Sequence, residues 1–299
     1  MTDKPKPRRR FFRFGLPTVL VMTVLCLLLG IMAKRAREEQ RAVETIRELG
    51  GLVYYEHQVY LAAGDRFRMT VRAPGLADLQ APGPEWLRRL IGDGYFFTVA
   101  QVQIPGPEID PEILVAIASL TDLGWLALEN TEVTDADLEY LGACSGLRTL
   151  ILNHTEITGE GLVHLQRLNR LQNLSLGWTQ INEAGLARVG GLTRLEALNL
   201  RETGTTDTGL ENLGELSELR ELSLQFTEVG DAGLAHLSGL TNLRILNLLS
   251  TDVTDAGLEH LKGLINLRSV DLEDTLVTEA GVKRLQRALP NCGFGYDAQ

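Results

Sequence analysis

A unit of 24 residues repeats along two-thirds of the chain, and this period constrains the fold more than any other feature. The first leucine of the unit recurs, with no insertion between copies, at Leu123, Leu147, Leu171, Leu195, Leu219, Leu243 and Leu267. A fixed period of this size, with leucine at two different spacings inside it, is typical of a solenoid. We therefore predict a linear stack of repeats and not a globular domain.

Each repeat combines a strand pattern with a helix pattern. In the copy that starts at Leu219, residues 222–224 alternate between apolar and polar, as a half-buried strand does. Three leucines then follow at intervals of three, on one face of a helix or a 3₁₀ turn, at 234, 237 and 240. Each buried leucine contributes ~1.5–3 kcal/mol, but ordering the backbone costs ~1–2 kcal/mol per residue. A single copy is therefore unstable, and only stacking on neighbours stabilises the set.

Two polar columns recur beside the leucines. A threonine whose hydroxyl can bond backbone groups beyond the strand occupies one position in every copy, at Thr131, Thr155, Thr179, Thr203, Thr227, Thr251 and Thr275. Further on, a threonine followed by an acidic residue, as in Thr254-Asp255, predicts a helix start with the carboxylate near the positive helix end. The glycine that follows, as at Gly257, predicts tight packing between neighbouring copies.

The string L-x-x-L-x-L-x-x-T-x-[VI]-T-D-A-G-L-x-x-L resembles leucine-rich repeat proteins of the short bacterial type, in the subgroup that carries T-D-A-G-L. The resemblance covers about residues 99–291, with threonine where these repeats usually carry Asn or Cys. It implies an α/β fold, a right-handed leucine-rich repeat solenoid or horseshoe with a parallel sheet on the concave side, and it implies no reaction. The apolar phase also extends backward, so an eighth, degenerate copy begins at Val99, with Pro107 in the threonine column.

The N-terminal segment predicts a membrane anchor. Residues 14–33 are uncharged and mostly apolar, and a helix of this length crosses ~30 Å of hydrocarbon. Because a short basic tail (1–13) precedes this single span, we expect that tail in the cytoplasm and the solenoid outside it. A cleaved signal peptide is the alternative, but its apolar core would be ~7–15 residues and Ile31-Met32-Ala33 is a poor cleavage site.

The domain organisation follows from these segments. Residues 34–97 are expected to form a juxtamembrane helix and an N-terminal cap, because the end of a solenoid exposes apolar rows. Residues 98–299 form the solenoid of about eight repeats with its C-terminal cap. Inside the cap region, the pattern predicts a helix over 35–49, strands over 53–55 and 67–71, and a short helix over 84–90.

Charge and cysteine content exclude some functions. The net charge is −10, but residues 1–41 carry ten basic and three acidic side chains, so the rest of the chain has a charge of −17. This acidic remainder argues against a nucleic-acid ligand. Cys144 and Cys292 lie about six repeats apart, and with ~4.8 Å between strands they cannot form a disulfide.

The columns beside the strand leucines vary from copy to copy, whereas the leucine and threonine columns do not. This contrast predicts a frame that carries a specific surface on the concave sheet. Trp178 and Phe226 are two repeats, or ~10 Å, apart. Together with His154, Arg201 and Gln225 they form a predicted contact patch for a protein or peptide, since such residues are favoured at interface hot spots. The alternative is that the two aromatics only cover the sheet edge.

No catalytic, cofactor or metal site is predicted. His236 and His260 share one repeat position in adjacent copies, together with His164, but no third ligand is apparent and zinc sites usually supply three or four. Residues 142–146 loosely resemble a nucleophile elbow around Cys144, yet they lead from a helix into a strand, which is the reverse of an elbow. The glycosylation sequons at 153–155 and 173–175 lie in repeat strands.

These observations favour a membrane-anchored, non-catalytic module for protein–protein interaction through the concave face. One alternative is a structural or self-associating envelope component. Another is an adaptor subunit of an enzyme complex, similar to the repeat receptors of ubiquitin ligases, but no F-box-like helical segment is present and a membrane span fits that role poorly.

Overall fold

The computed structural model describes residues 16–55 and 99–297. The predicted basic tail 1–13, the strand over 67–71 and the helix over 84–90 lie outside the described residues. Ten strands form one sheet in chain order. The first strand pairs antiparallel with the second, and the pairings that follow are parallel. This arrangement confirms a leucine-rich repeat solenoid with a parallel sheet.

The strands are short and lie 24 residues apart from the second to the ninth, so each repeat contributes one of them. They are β1 Leu52–Tyr55, β2 Val99–Gln103, β3 Trp125–Ala127, β4 Thr149–Ile151, β5 Asn173–Ser175, β6 Ala197–Asn199, β7 Glu221–Ser223, β8 Ile245–Asn247, β9 Ser269–Asp271 and β10 Gly293–Gly295. The register joins equivalent residues of neighbouring copies, such as Leu198 and Leu222. The pairing of β2 with β3 places the degenerate copy in the same sheet.

From β2 onward, a helical segment returns the chain from each strand to the next. The α-helices are α1 Leu16–Glu48, α2 Pro111–Ser119, α3 Leu138–Leu141, α4 Glu183–Gly190, α5 Asp207–Glu211, α6 Asp231–His236, α7 Leu258–Leu261 and α8 Glu279–Ala288. The described residues also contain two 3₁₀ helices, at Glu160–Arg167 and Leu237–Gly239. The leucines spaced by three lie on the side of these segments that faces the core, and they are buried.

One continuous apolar core runs through the stack, from Ala42 in α1 to Cys292 before β10. The strand leucine that is repeated at 126, 150, 174, 198, 222 and 246 is at most 1% exposed in every copy. The sheet register pairs each of these leucines with the equivalent leucines of the neighbouring repeats. The stability of one repeat therefore depends on its neighbours, as the 24-residue period predicts.

The threonine column satisfies the backbone where each strand ends. In seven copies the hydroxyl donates to the carbonyl oxygen of the leucine three residues earlier, at 2.5–2.7 Å. The threonines themselves are buried, so this bond satisfies both a buried hydroxyl and a buried carbonyl. The predicted role of the column in backbone hydrogen bonding is confirmed.

The acidic residue that begins each helix also links one repeat to the next. The Asp231 carboxylate accepts from the Thr254 backbone N–H at 2.8 Å and from the Thr254 hydroxyl at 2.6 Å. Asp135 and Asp255 accept from the same two groups of Thr158 and Thr278 in the following copy, and Asp207 accepts from the Gly230 N–H alone. The sequence predicted only a contact with the residue's own helix end, and this bridge between repeats was missed.

The glycine of the repeat makes room for that bridge. A Cβ added at Gly257 would lie 2.3 Å from Asp231 Oδ1, and one at Gly281 would lie 2.0 Å from Asp255 Oδ1. The predicted tight packing between copies is confirmed, and its cause is the carboxylate of the preceding repeat.

The helix α1 is continuous where the sequence predicted one helix over 14–33 and another over 35–49. Val43 and Ile46 are buried in the core, but Leu49, which was expected on the same side, is 39% exposed. The helix ends at Glu48, and Gly50 (φ 89°) turns the chain into β1. Within residues 16–55 and 99–297, no helix has both the length and the apolar character that crossing a membrane requires. The membrane span at 14–33 stays a prediction.

Candidate ligand-binding surface

The residue that follows each strand by three positions has a left-handed backbone in seven consecutive copies. The φ values are 50–59°, at Asn130, His154, Trp178, Glu202, Phe226, Ser250 and Asp274. This conformation is strained for non-glycine residues, by about 1–3 kcal/mol each. It is held by hydrogen bonds between repeats, such as those from the Trp178 N–H to the Arg201 carbonyl (2.8 Å) and from the Phe226 N–H to the Leu249 carbonyl (2.9 Å).

The five residues that the sequence predicted for the contact patch lie together in the structure. The His154 and Trp178 rings stack with centroids 4.4 Å apart and planes at 14°. The Arg201 guanidinium carbon lies 4.6 Å from the Trp178 centroid and 4.9 Å from the Phe226 centroid. Arg201 Nη1 also donates to Gln225 Oε1 at 2.7 Å. We call this set of five residues the cation–aromatic stack.

Parts of the cation–aromatic stack are open to solvent. Phe226 is 42% exposed, His154 is also exposed, and Trp178, Arg201 and Gln225 are half-buried. The His154 and Trp178 rings stack on each other, and the Trp178 and Phe226 rings contact the Arg201 cation, but none of the three rings belongs to the apolar core. The contact patch stays a prediction.

A polar ladder on the concave strands fixes the backbone beneath the stack. Asn153 Oδ1 accepts from the Ser175 hydroxyl (2.6 Å) and from the Gly177 N–H (2.9 Å). Ser175 in turn accepts from Asn199 Nδ2 (2.9 Å), and Asn199 Oδ1 accepts from the Arg201 N–H (3.0 Å). The sequence did not predict this ladder, although the run of Ser and Asn in the middle column was a signal for it.

The charge of Arg201 has no counter-ion among the described residues. Two other arginines of the repeats are paired, Arg220 with Glu196 at 3.3 Å and Arg284 with Asp255 at 2.9 Å. Arg201 forms no ion pair of this kind within residues 16–55 and 99–297, and its buried Nε atom has no hydrogen-bond partner there. A guanidinium has five N–H donors, and the bond to Gln225 uses one of them.

The concave column is not uniform along the solenoid. Trp125, Ala127 and Ile151 form a small buried cluster apart from the main core, with exposures of 5%, 0% and 3%. In a later repeat, Ile245 of β8 is 42% exposed. The sequence pattern did not predict this difference, because Trp125 and Ile245 occupy the same position of the repeat. The open part of this face of the sheet lies toward the C-terminal repeats.

The other candidate residues form no reactive site. The three histidines at one repeat position lie on separate helical segments, and no group of three His, Cys, Asp or Glu side chains able to hold a metal occurs in the described part of the chain. Cys144 is fully buried with its Sγ 3.4 Å from the Ile117 carbonyl oxygen. Burial raises the pKa of this thiol to about 12, so at neutral pH it is protonated and is a poor nucleophile. Cys144 and Cys292 are both free.

Comparison with known proteins agrees with the repeat assignment. The family described as Leucine Rich repeat matches residues 143–166, 217–238 and 239–262, which lie within the repeats of the solenoid. No curated protein matches the sequence.

Three solved structures are similar to this chain at low identity. An internalin (InlF) from Listeria monocytogenes is 22% identical with a TM-score of 0.48, over 62% of this chain and 57% of that one. An internalin C2 from the same species is 24% identical with a TM-score of 0.47, over 62% and 73%. A plant peptide hormone receptor, RGFR1, in complex with RGF2, is 17% identical with a TM-score of 0.44, over 66% and 31%. These values are too low to bear on function.

Proposed function

We propose that this chain is a non-enzymatic binding module that holds a protein or peptide ligand on its concave face. In this proposal residues 14–33 anchor it in a membrane, with the N-terminus in the cytoplasm and the solenoid outside. The observation that carries the binding role is the cation–aromatic stack, which joins four consecutive repeats on a partly exposed surface.

The composition of the stack suits an interface. Trp and Arg are enriched among the residues that contribute most to binding free energy. Their side chains already contact one another, so they lose less conformational entropy when a ligand binds, at a saving of about 0.5–1.5 kcal/mol per ordered side chain. The polar ladder below them supports the same rigidity. The invariant leucine and threonine columns provide the frame on which this variable surface is carried.

Replacement of the two aromatics tests the binding role. Affinity capture from membranes of the source cells with the intact chain and with Trp178→Ala/Phe226→Ala should give partners that only the intact chain retains. The matched control is Tyr140→Ala/Ile265→Ala, which removes two exposed apolar side chains outside the stack, 39% and 71% exposed. The control should keep the partner set. Identical partner sets for the aromatic variant and the intact chain would contradict a ligand site at the stack.

The membrane component has its own support and its own test. Residues 14–33 carry no charge, and basic residues lie on both sides of them, as is typical of a single-pass anchor. A reporter enzyme that works only outside the cytoplasm should be active when it is fused after Gln299. Alkaline carbonate should not extract the chain from membranes. A cytoplasmic reporter would contradict the orientation, and extraction of the chain would contradict the anchor.

A further inference from the structure

We propose that the ligand is an extended segment of a partner protein that carries one Asp or Glu side chain, and that Arg201 binds the carboxylate of that side chain. This inference rests on the proposed function and specifies the chemistry of the ligand. It would make Arg201 the residue that determines specificity, with Trp178 and Phe226 holding its guanidinium in place.

The first argument is the unpaired charge. Arg201 is half-buried between two rings, so its guanidinium has lost part of its hydration without gaining an anion from the described residues. A partly desolvated cation with unused donors is stabilised by a charged acceptor. The chain has 39 acidic residues. One of them, Glu196, forms an ion pair with the half-buried Arg220, but Arg201 has no such partner among the described residues.

The second argument is the geometry of the guanidinium. Its carbon lies over both the Trp178 and the Phe226 ring, at 4.6 and 4.9 Å from the ring centroids, and we place the ligand at the edge of the guanidinium. The edge presents N–H donors in a plane, and this arrangement matches a carboxylate. Because Gln225 Oε1 accepts from Arg201, the amide nitrogen of Gln225 is a further donor at the same place. The backbone of Arg201 is itself fixed by Asn199.

The third argument favours an internal acidic side chain over a chain terminus. Arg201 lies in the middle of its column, with Asn153 and Gly177 in the two preceding copies and Gln225 and Leu249 in the two following ones. An extended ligand can therefore continue past Arg201 in both directions. The exposed Glu202 beside it and the net charge of −10 oppose a polyanion, whereas a single carboxylate needs only one cation.

A peptide selection tests this inference with the full chain, purified in detergent and immobilised. The probe is a library of random twelve-residue peptides displayed as an internal loop, without a free C-terminus. We expect the selected peptides to share Asp or Glu at one position, and its change to Asn or Gln to weaken binding at least tenfold. Arg201→Met should weaken binding of the unchanged peptide by a similar factor. In the Arg201→Met chain, the acid-to-amide change in the peptide should have no further effect.

The control is Arg194→Met, which removes the same charge from an exposed position at the end of the preceding repeat, in the turn before β6, and should leave binding unchanged. The acid-to-amide change in the peptide does not alter the protein, so a folding defect of Arg201→Met cannot produce the expected result. Binders that lack a common acid, but still depend on Trp178 and Phe226, would overturn this inference and leave the proposed function intact. No binders, or binders that are insensitive to the stack, would overturn both. A second library displays the peptides with a free C-terminus. Binding of that library alone would overturn the inference that Arg201 binds an internal acidic side chain.

Discussion

The close approach of Gly257 and Asp231 predicts that Gly257→Ala destabilises the intact chain but does not destabilise a chain that already carries Asp231→Ala. In the intact chain, a Cβ at Gly257 would lie 2.3 Å from Asp231 Oδ1, so Gly257→Ala must displace the carboxylate from both of its bonds to Thr254. Charge-assisted hydrogen bonds contribute about 1.5–3 kcal/mol each. Because these groups are only half-buried, the lower value applies, and the two bonds together contribute about 3 kcal/mol.

The backbone of Gly257 favours alanine once the carboxylate is absent. Its φ and ψ are −62° and −34°, a conformation in which Gly→Ala stabilises a protein by about 0.4–1 kcal/mol. We therefore expect Gly257→Ala to cost about 2 kcal/mol in the intact chain and to be neutral or slightly stabilising in Asp231→Ala, a coupling of about 2–3 kcal/mol. The coupling is measured as the difference in unfolding free energy by urea titration with circular dichroism, over the four chains of the cycle. The same cost of Gly257→Ala in both backgrounds would refute the bridge between repeats.

Three further outcomes follow from the repeat columns. Thr227→Val should lower the unfolding free energy by about 1–3 kcal/mol, because the Leu224 carbonyl would lose its partner at 2.7 Å in a buried site; urea titration measures the loss, and an unchanged midpoint would contradict it. Ser250→Gly should raise the unfolding free energy by about 0.5–1 kcal/mol, and the melting temperature with it, because the φ of 54° at Ser250 is one that glycine adopts freely; a lower melting temperature would refute the backbone strain. The pKa of Asp255 lies below its ordinary 3.8, because hydrogen bonds from Thr278 and Arg284 outweigh the opposing effect of desolvation. The stability from this carboxylate should be complete above pH 3.8 and lost as the pH falls through its lower folded-state pKa; in Asp255→Asn, unfolding below pH 4 should depend less steeply on pH, and an unchanged acid profile would contradict the bridge.

The sequence predicted the features that repeat locally, because each copy has the same environment as its neighbours. The strand leucines and the threonine column recur at one spacing, so their burial and hydrogen bonding follow from any single copy. The spacing also predicted the position of the stack. Two repeats correspond to ~10 Å. Arg201 belongs to the repeat between those of Trp178 and Phe226, and its distances of 4.6 and 4.9 Å to the two ring centroids each agree with a spacing of one repeat.

The features that were missed depend on the offset between neighbouring copies. The bridge from Asp231 to Thr254 joins residues 23 positions apart, and the sequence pattern of one copy does not show which of its groups face the next. The left-handed backbone at Trp178 and Phe226 was also missed, because such φ values are usual for glycine and not for aromatic residues. The change from a buried to an exposed concave column is a property of the whole stack, and no single repeat encodes it.

The central claim is that the repeats stack in phase around one shared leucine core, and deletion of whole copies tests it most directly. Removal of residues 171–218 takes out two complete repeats and joins equivalent positions, whereas removal of 171–206 takes out one and a half and joins the turn before a strand directly to a helix start. Thermal unfolding followed by circular dichroism should show a cooperative transition for the in-phase deletion and none for the out-of-phase deletion. Loss of the transition in both chains, or its retention in both, would contradict the account.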